Sequence, residues 1–502
     1  MNDHTHPNLK NTDSLPKGPR IHSVRFNVVM NMILTSSQFI FPLVTVPYVS
    51  RILLTHGAGA VAFAQSIVSY FSLIAQLGIP VYGVKLCASI RDDRNALSQA
   101  VQELMVILMA STAITYALYI LAVFTIPRLS SDKMLFIITS ATIWLVSMGV
   151  DWFYQAIEQY GYITVRNIVF KVIAVALMFV LVKSPADYRM YALVTVIANG
   201  GSNILNILRL RKFVDFSWSR KLRIRKHFKP MGSFIIMSVA NGMFTQADLV
   251  ILGFIGTIPM VGLYQLVTKI KTLLYSVVNS VSSVMLPRLS YYQGNNKTQK
   301  YSALLAKNFS FLTMMSLAAI SVCVLTAEPI VLILAGAAFL GAAGSLKIIS
   351  ISLVFSAYNT LLSQDLIASG KEKQFSAVCV IGLIVAVLYS FLFIPILGVP
   401  GAALAMTLCE ATQSVILFWI SRKTLRKIPL RSEMLTIIVA WLFATLAGWG
   451  ATFITFGRNV IVQLAGPIVC FSLVYLLLLL LGKEDFVWTL YQRIAARSIF
   501  RR

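Results

Sequence analysis

The sequence predicts an all-α polytopic membrane protein with about 14 transmembrane helices. Of the 502 residues, 58% are hydrophobic and only 12% are charged, and the mean hydropathy is +0.79. A soluble chain carries about 25% charged residues and could not bury this much apolar surface in domains of ordinary size. Because one helical span takes about 20 apolar residues, fourteen spans would use roughly 280, which is close to the apolar total.

Apolar runs divide the chain, in order, into a tail, fourteen spans and a second tail. Residues 1–24 are polar and are predicted to form a disordered cytoplasmic tail. Six spans follow within 25–208 (the N-lobe) and six within 230–421 (the C-lobe). Two more lie within 422–482, before a basic cytoplasmic tail at 483–502. The predicted spans are 26–50, 58–84, 101–126, 134–156, 162–182, 188–208, 231–256, 260–286, 309–330, 346–368, 376–396, 400–421, 434–456 and 459–482.

Positive charge predicts the orientation. With the N-terminus inside, 34 of the 43 Lys and Arg residues fall on the cytoplasmic side and 7 on the other. Such an excess marks cytoplasmic loops, so both termini are expected in the cytoplasm. The densest basic run, 209–229, is predicted to be a cytoplasmic linker that contacts anionic lipid. Most of the net charge of +25 is therefore explained by topology, and no nucleic-acid partner is expected.

A weak internal repeat supports two related lobes. GAVAFAQSI (59–67) aligns with GLYQLVTKI (262–270), and the same offset sets Lys85 against Arg288. Each segment begins the second helix of its lobe, as a parallel repeat requires. Residues 331–345, which are apolar but rich in Gly and Ala, are typical of a re-entrant or interfacial piece between two spans.

Two lysines lie inside the eighth span, where a charge costs about 2.5–3.5 kcal/mol. Lys269 and Lys271 are two residues apart, which is about 200° of helix rotation, so they cannot face the same point. Asp248, in the seventh span, lies at a similar depth. An Asp248–Lys269 ion pair is one interpretation, and a site for an anionic head group or a proton or ion switch is the other.

Four further charged residues are candidates for a role within the membrane. Glu410 lies midway along the twelfth span, where either an internal hydrogen bond or contact with a coupling ion or substrate would explain it. Asp365 and Asp151 lie near the inner ends of their helices, where interface anchoring alone accounts for them. Arg51 follows the first span on the side that has few cations, which makes it a candidate substrate contact.

Motifs for catalysis, metal binding or nucleotide binding are absent from the sequence. The five cysteines are isolated, and the five histidines lie in the expected tails and loops. The chain contains no GxxxxGK[ST], HExxH or nucleophile-elbow pattern. We therefore expect neither a metal nor a cofactor. The protein is predicted to be a secondary transporter or flippase, and not an enzyme or an ATP-driven pump.

Four segments carry a resemblance to a known family. FPLVTVPYVSRIL (41–53), FAQSIVSYFSLIAQLGIPVYGVKLCASIRDD (63–93), DWFYQAIEQYGYITVRNIVFKVI (151–173) and VPGAALAMTLCE (399–410) resemble the bacterial polysaccharide-unit (O-antigen) flippases of the multidrug/oligosaccharidyl-lipid/polysaccharide exporter superfamily. The resemblance runs from about residue 23 to about 430 and is most specific in the first two hundred residues.

The resemblance implies a function, a cargo and a location. It implies a multi-pass protein of the bacterial inner membrane that moves undecaprenyl-diphosphate-linked oligosaccharide from the cytoplasmic to the periplasmic leaflet by alternating access. The product would supply O-antigen and lipopolysaccharide assembly, with membrane lipids and a polysaccharide polymerase as partners. Lys269, with Lys271 and Arg51 as further candidates, would contact the diphosphate, and Asp248 follows the acidic position of the family's seventh helix.

Two questions stay open at the level of sequence. A cation-coupled multidrug exporter of the same superfamily is the alternative function, and it would show a cavity lined by carboxylates. Few arginines lie in the middle of a predicted span. In this respect the sequence departs from the strongly basic central cavity that the resemblance implies. Either protons or sodium ions would serve as the coupling ion.

Overall fold

The computed structural model describes residues 23–216, 222–295, 297–425, 431–457, 459–489 and 491–492, and these contain helices and no strand. The predicted tail 1–24 lies almost wholly outside the described residues, and the tail 483–502 and linker 209–229 lie partly outside them. The α-helices are α1 Val24–Gln76, α2 Ile79–Ser89, α3 Arg94–Thr125, α4 Pro127–Ser130, α5 Lys133–Ser147, α6 Asp151–Ala156, α7 Tyr160–Leu181, α8 Tyr188–Val196, α9 Asn203–Leu210, α10 Arg225–Phe244, α11 Ala247–Ile255, α12 Ile258–Gly294, α13 Thr298–Ala335, α14 Ala343–Ser350, α15 Ser352–Ala368, α16 Glu372–Leu397, α17 Val399–Leu425, α18 Arg431–Thr455 and α19 Val460–Leu481.

The described residues contain ten helical segments that are long and apolar enough to cross a membrane, or up to twelve if each bent pair is one span. The sequence predicted about fourteen, and two features account for the difference. The first segment, Phe26–Ser89, contains two predicted spans, separated by a non-helical residue at Leu54. The second feature is α12, which carries both intramembrane lysines and is not among the ten.

Several predicted spans are broken. The seventh consists of α10 and α11, which meet at Thr245–Gln246 with a bend of 52°. The tenth consists of α14 and α15, preceded by a 3₁₀ turn at Ala337–Ala342 in the segment expected to be re-entrant. Between α8 and α9, Ile197–Gly201 forms a π turn. Irregular backbone at membrane depth is tolerated where it is buried in protein or lines a cavity, so these breaks indicate where to look for a site.

The lobes meet along α1 and α12, which pack against each other. Gly59 and Gly262, the two glycines that the internal repeat aligns, lie together at this boundary. A Cβ atom on Gly59 would overlap the carbonyl of Ile258, and one on Gly262 would overlap the carbonyl of Thr55. The two positions that the repeat alignment pairs therefore form a close backbone approach at this crossing.

Asp132 precedes the segment Lys133–Ala156 and Glu158 follows it, so the contacts of these two carboxylates mark the two ends of one span. At one end the Tyr188 hydroxyl donates to Asp132 at 2.7 Å, close to Gly57 and Arg128. At the opposite end Arg91 donates to Glu158 at 2.6 Å. We call the first the outer end and the second the inner end, following the orientation that the charge distribution predicts.

Candidate functional site

A cavity of about 460 Å³ lies inside the C-lobe, between α10, α11, α12, α15, α16 and α17. Asp248, Lys271 and Glu410 are its three charged lining residues. The remaining polar lining consists of hydroxyl and amide groups. We call this the C-lobe cavity, and it contains three of the charged residues that the sequence singled out.

Lys271 and Glu410 form an ion pair in this cavity. Lys271 Nζ lies 3.4 Å from Glu410 Oε1, and the two side chains are 11% and 9% exposed. The other carboxylate oxygen accepts a 2.7 Å hydrogen bond from Asn359 Nδ2, and Ser414 Oγ donates to Asn359 Oδ1 at 2.7 Å. Three helices thus hold one carboxylate, and both of its oxygens have a partner.

Asp248 lies in the first turn of α11, immediately after the break in the seventh span. Its side chain accepts a hydrogen bond from the backbone N–H of Leu249 at 2.9 Å and another from the Tyr264 hydroxyl. The interpretation of an Asp248–Lys269 pair is wrong, because Lys269 lies on a different face of α12 from the C-lobe cavity. Tyr264 lies sixteen positions along the chain, which no local pattern in the sequence could indicate.

Lys269 lines a narrow crevice between the lobes, together with Gln65 and Gln265. Its side chain is half-buried, and among the described residues no carboxylate lies within 4.0 Å of its amine. The two lysines therefore face different cavities, as their 200° separation requires. Lys271 is neutralised by a carboxylate, whereas Lys269 is left as a cation at the lobe boundary.

A second cavity of about 310 Å³ adjoins this crevice and shares Gln65 and Gln265 with it. It is bounded by α1, α5 and α8 of the N-lobe and by the helix break and α12 of the C-lobe. We call it the amide cavity, because its polar lining is uncharged. The amides are Gln65, Gln76, Asn199, Gln246 and Gln265, and the hydroxyls are Ser66, Ser69, Ser72, Thr139, Thr142 and Thr195.

Arg51 lies at the outer end and lines neither the C-lobe cavity nor the crevice of Lys269. Its exposed guanidinium donates through Nη2 to the carbonyl of Ile333 at 2.8 Å, in the last turn of α13. Arg128, which the sequence analysis did not single out, donates to the carbonyls of Gly253 and Gly256 at 2.9 and 2.8 Å, at the end of α11. Each N-lobe arginine thus reaches the C-terminal, electronegative end of a C-lobe helix. The sequence signal that could have indicated both arginines is that they are among the few cations on the predicted outer side.

Asp151 and Asp365 lie at the inner end, and neither lines the C-lobe cavity or the amide cavity. Asp151 accepts from Arg166 Nη2 and from Asn206 Nδ2, each at 2.7 Å. Asp365 accepts from the Tyr301 hydroxyl. These are contacts within the protein, and interface anchoring by the two carboxylates stays a prediction.

A buried cluster at the inner end was missed in the sequence. Glu103, whose side chain is fully buried, lies 2.8 Å from Lys226 Nζ and 2.8 Å from His227 Nε2. The other ring nitrogen of His227 is hydrogen-bonded to the Tyr82 hydroxyl at 2.9 Å. His227 was expected in a loop but is buried in the first turns of α10. The cluster ties α2 and α3 of the N-lobe to the first helix of the C-lobe.

Comparisons with known proteins agree with this architecture. A family model described as polysaccharide biosynthesis protein matches residues 24–293. A candidate O-antigen transporter of Shigella dysenteriae is 25% identical over 405 residues, covering 78% of this chain and 98% of that protein. A candidate O-antigen transporter of Escherichia coli (strain K12) is 23% identical over 413 residues, with 80% and 98% covered.

Two solved structures have a similar fold. The lipid II flippase MurJ, in an inward closed conformation, aligns with a TM-score of 0.69 at 16% identity, over 92% of this chain and 100% of that one. A multidrug resistance transporter of the MATE family and MOP superfamily, in an inward-facing conformation, aligns with a TM-score of 0.59 at 15% identity, over 79% and 97%. At these identities the similarity establishes the fold.

Proposed function

The chain belongs to the polysaccharide biosynthesis protein family, and we propose that it is a flippase for lipid-linked oligosaccharides. Its cargo is an oligosaccharide repeat unit on undecaprenyl diphosphate, which it moves from the cytoplasmic to the periplasmic leaflet of a bacterial inner membrane. Both termini are cytoplasmic, and a polysaccharide polymerase receives the translocated unit. The protein carries out transport and forms no covalent bond with its cargo.

The physical problem is the polar head of such a lipid. A polyprenyl tail stays in hydrocarbon throughout, whereas the sugars and diphosphate cannot cross about 30 Å of it without replacement hydrogen bonds and counter-charge. A polar cavity between two lobes supplies both. Rocking of the lobes about the crossing of Gly59 and Gly262 would then expose that cavity to each side in turn.

The observation that carries the proposal is Lys269. It is a cation at the boundary between the lobes, and among the described residues it has no carboxylate partner within 4.0 Å. An uncompensated charge at this depth costs about 2.5–3.5 kcal/mol, so a role that needs the charge is expected. A diphosphate supplies the missing counter-charge when it binds, and its affinity for the site then depends directly on that lysine.

The C-lobe cavity is the candidate for energy coupling. Asp248 and Glu410 are carboxylates that a proton or a sodium ion would neutralise. Lys271, whose Nζ lies 3.4 Å from Glu410 Oε1, competes with such an ion for Glu410. We propose that binding of one of these ions weakens the Lys271–Glu410 pair and changes the preferred arrangement of the lobes. No cofactor is required.

A cation-coupled multidrug exporter is the second candidate, and the carboxylates of the C-lobe cavity favour it. Cationic compounds would bind at Asp248 and Glu410, and Lys269 would have no role in their transport. The two functions therefore make opposite predictions for a lysine variant and for a carboxylate variant.

Deletion and complementation distinguish the two functions. In a strain without a second flippase, deletion should abolish surface polysaccharide and leave lipid-linked units on the cytoplasmic side, while resistance to cationic compounds stays unchanged. The wild-type gene should restore the polysaccharide, and Lys269→Ala should not. Normal polysaccharide in the deletion strain would contradict the flippase function. A loss of resistance to cationic compounds in the deletion strain and in the Asp248 and Glu410 variants, but not in Lys269→Ala, would support the exporter.

A further inference from the structure

The amide cavity differs from the C-lobe cavity in carrying no charge. Of its 16 lining residues, 11 have an amide or a hydroxyl side chain and none is ionisable at neutral pH. Its volume of about 310 Å³ lies at the lower end of the range of small-molecule sites, about 300–1,000 Å³. A cavity of this composition inside a membrane protein offers many hydrogen bonds and no counter-ion.

One buried polar group of this lining, in the described part of the chain, lacks a protein partner. Ser72 is 6% exposed, and in the described part of the chain its hydroxyl has no hydrogen-bond partner. Asn199 is exposed and Gln246 is partly exposed, so both amides are accessible from the cavity that they line. Buried polar groups are normally satisfied, so the unpaired Ser72 hydroxyl at the edge of a cavity indicates a polar ligand or ordered solvent.

Two irregular backbone segments border the same cavity from opposite lobes. The π turn Ile197–Gly201 presents Asn199, and the 52° break between α10 and α11 presents Gln246. π turns and broken spans both occur preferentially at functional sites in membrane proteins. One amide from each lobe therefore reaches the cavity from a position that a regular helix would not provide.

The chemistry of the lining matches one class of ligand. A carboxamide donates and accepts hydrogen bonds at once, as a sugar hydroxyl does, so amides and hydroxyls pair well with neutral sugars. An ionised sugar carboxylate would find no cationic side chain in this lining, which disfavours its transfer from water into the cavity. Gln265, at the edge of the cavity, precedes Lys269 by about one helical turn, or roughly 6 Å.

We propose that the amide cavity is a subsite for the uncharged sugar next to the diphosphate, and that it selects against repeat units whose first sugars carry a carboxylate. This inference rests on the proposed function and adds the substrate class. Lys269 holds the diphosphate, and the amides of both lobes hold the adjoining neutral sugar. Occupation of the cavity by sugar also places ligand against both lobes at once.

Binding measurements on the purified full-length protein in lipid nanodiscs test the subsite. Three probes are compared: undecaprenyl diphosphate alone, the same lipid carrying a neutral N-acetylglucosamine–galactose disaccharide, and the same lipid carrying a glucuronic acid disaccharide. The variants are Gln246→Leu and Asn199→Leu, with Gln155→Leu as the control, because Gln155 is an exposed amide on α6 outside both cavities.

Wild-type protein should bind the neutral glycolipid about tenfold more tightly than the bare lipid, and more tightly than the acidic glycolipid. Each cavity variant should lose about two- to tenfold for the neutral glycolipid. Each should keep its affinity for the bare lipid, which also verifies that it is folded. Gln155→Leu should behave as wild type.

Two results would overturn the inference separately from the proposed function. Equal wild-type affinity for the neutral and acidic glycolipids would refute the sugar selectivity, and unchanged neutral-glycolipid affinity in both cavity variants would refute the subsite. Wild-type protein that binds none of the three lipids would refute the flippase function together with the subsite. A variant that no longer binds the bare lipid is replaced by Gln246→Asn, which keeps the amide but shortens its reach and should show a smaller loss.

Discussion

The Lys271–Glu410 pair allows a quantitative test of whether the C-lobe cavity contains two coupled charges. The perturbations are Glu410→Gln, which keeps the size of the side chain and an acceptor for Asn359, and Lys271→Met, which keeps the aliphatic stem. The double variant removes both charges. Each single variant leaves one charge of the pair without its partner in a mostly buried site, whereas the double variant removes both and leaves Asp248 as the charged residue of the cavity.

The expected magnitudes follow from the geometry. At the observed 3.4 Å, two unit charges attract by about 5 kcal/mol at an effective dielectric of about 20. Breaking a buried pair by removing one partner costs about 3–5 kcal/mol. Because the pair borders a cavity and Asp248 lies in the same cavity, we expect the lower part of that range or slightly less, about 2–3 kcal/mol for each single variant. The double variant should cost about 1 kcal/mol.

Reversible unfolding in mixed detergent micelles, followed by tryptophan fluorescence, measures these free energies. The coupling energy from the double-mutant cycle should be about 3–5 kcal/mol, at or above the upper end for contacting residues. Lys269→Met is the matched control on the same helix, and because Lys269 has no carboxylate partner among the described residues, its removal should leave stability unchanged or raise it. A coupling energy below about 0.5 kcal/mol would refute a charged pair at this position.

Three further predictions concern the lobe boundary. Lys269→Ala should reduce polysaccharide export in a complemented strain more than Lys271→Ala, and full activity of both would remove the lysines from the mechanism. Arg128→Gln removes two charge-assisted hydrogen bonds of about 1.5–3 kcal/mol each, so spin-label distances across the outer end should lengthen, and unchanged distances would contradict this. Gly262→Leu should greatly lower the yield of folded protein in size-exclusion chromatography, because the new side chain overlaps a backbone carbonyl of α1. Gly450→Leu, with open space at Cβ, should not.

The sequence predicted those features that depend on local geometry. The hydropathy predicted the helical membrane fold, and the rotation of a helix predicted that Lys269 and Lys271 would face different surroundings. Both follow from quantities fixed by the chain itself, namely apolar content and about 100° of rotation per residue. The repeat alignment stays a prediction, although the two glycines that it pairs, Gly59 and Gly262, lie in contact.

The partners of the charged residues could not be predicted in the same way. Glu410 is 139 positions from Lys271 and 51 from Asn359, so only the packing of α12, α15 and α17 brings them together. Asp248 was assigned to Lys269 as one interpretation because their depths match, but depth alone leaves the direction of each side chain undetermined. In the structure the side chain of Asp248 accepts a hydrogen bond from the hydroxyl of Tyr264 and is not paired with Lys269.

The helix breaks were also missed, for a related reason. Thr245–Gln246 contains neither Pro nor Gly, and a hydropathy window treats α10 and α11 as one apolar run. The π turn contains Gly200 and Gly201, which is a weak signal at most. In the structure the π turn packs against α5, α7 and α8, and the helices on either side of the break, α10 and α11, pack against α1. Both irregularities therefore depend on tertiary contacts that the local sequence does not contain.

The helix α12 connects the two cavities, and its geometry suggests how they communicate. Gln265 and Lys269 face the lobe boundary, whereas Lys271 and Tyr275 face the C-lobe cavity. A helix moves as a stiff unit over such a short distance, so a shift of α12 that follows separation of Lys271 from Glu410 must also move Lys269. Neutralising Glu410 would therefore change the position of the cation that faces the substrate, without any direct contact between the two. Because such coupling is reciprocal, occupation of the lobe boundary by a diphosphate would in turn change the affinity of Glu410 for its ion.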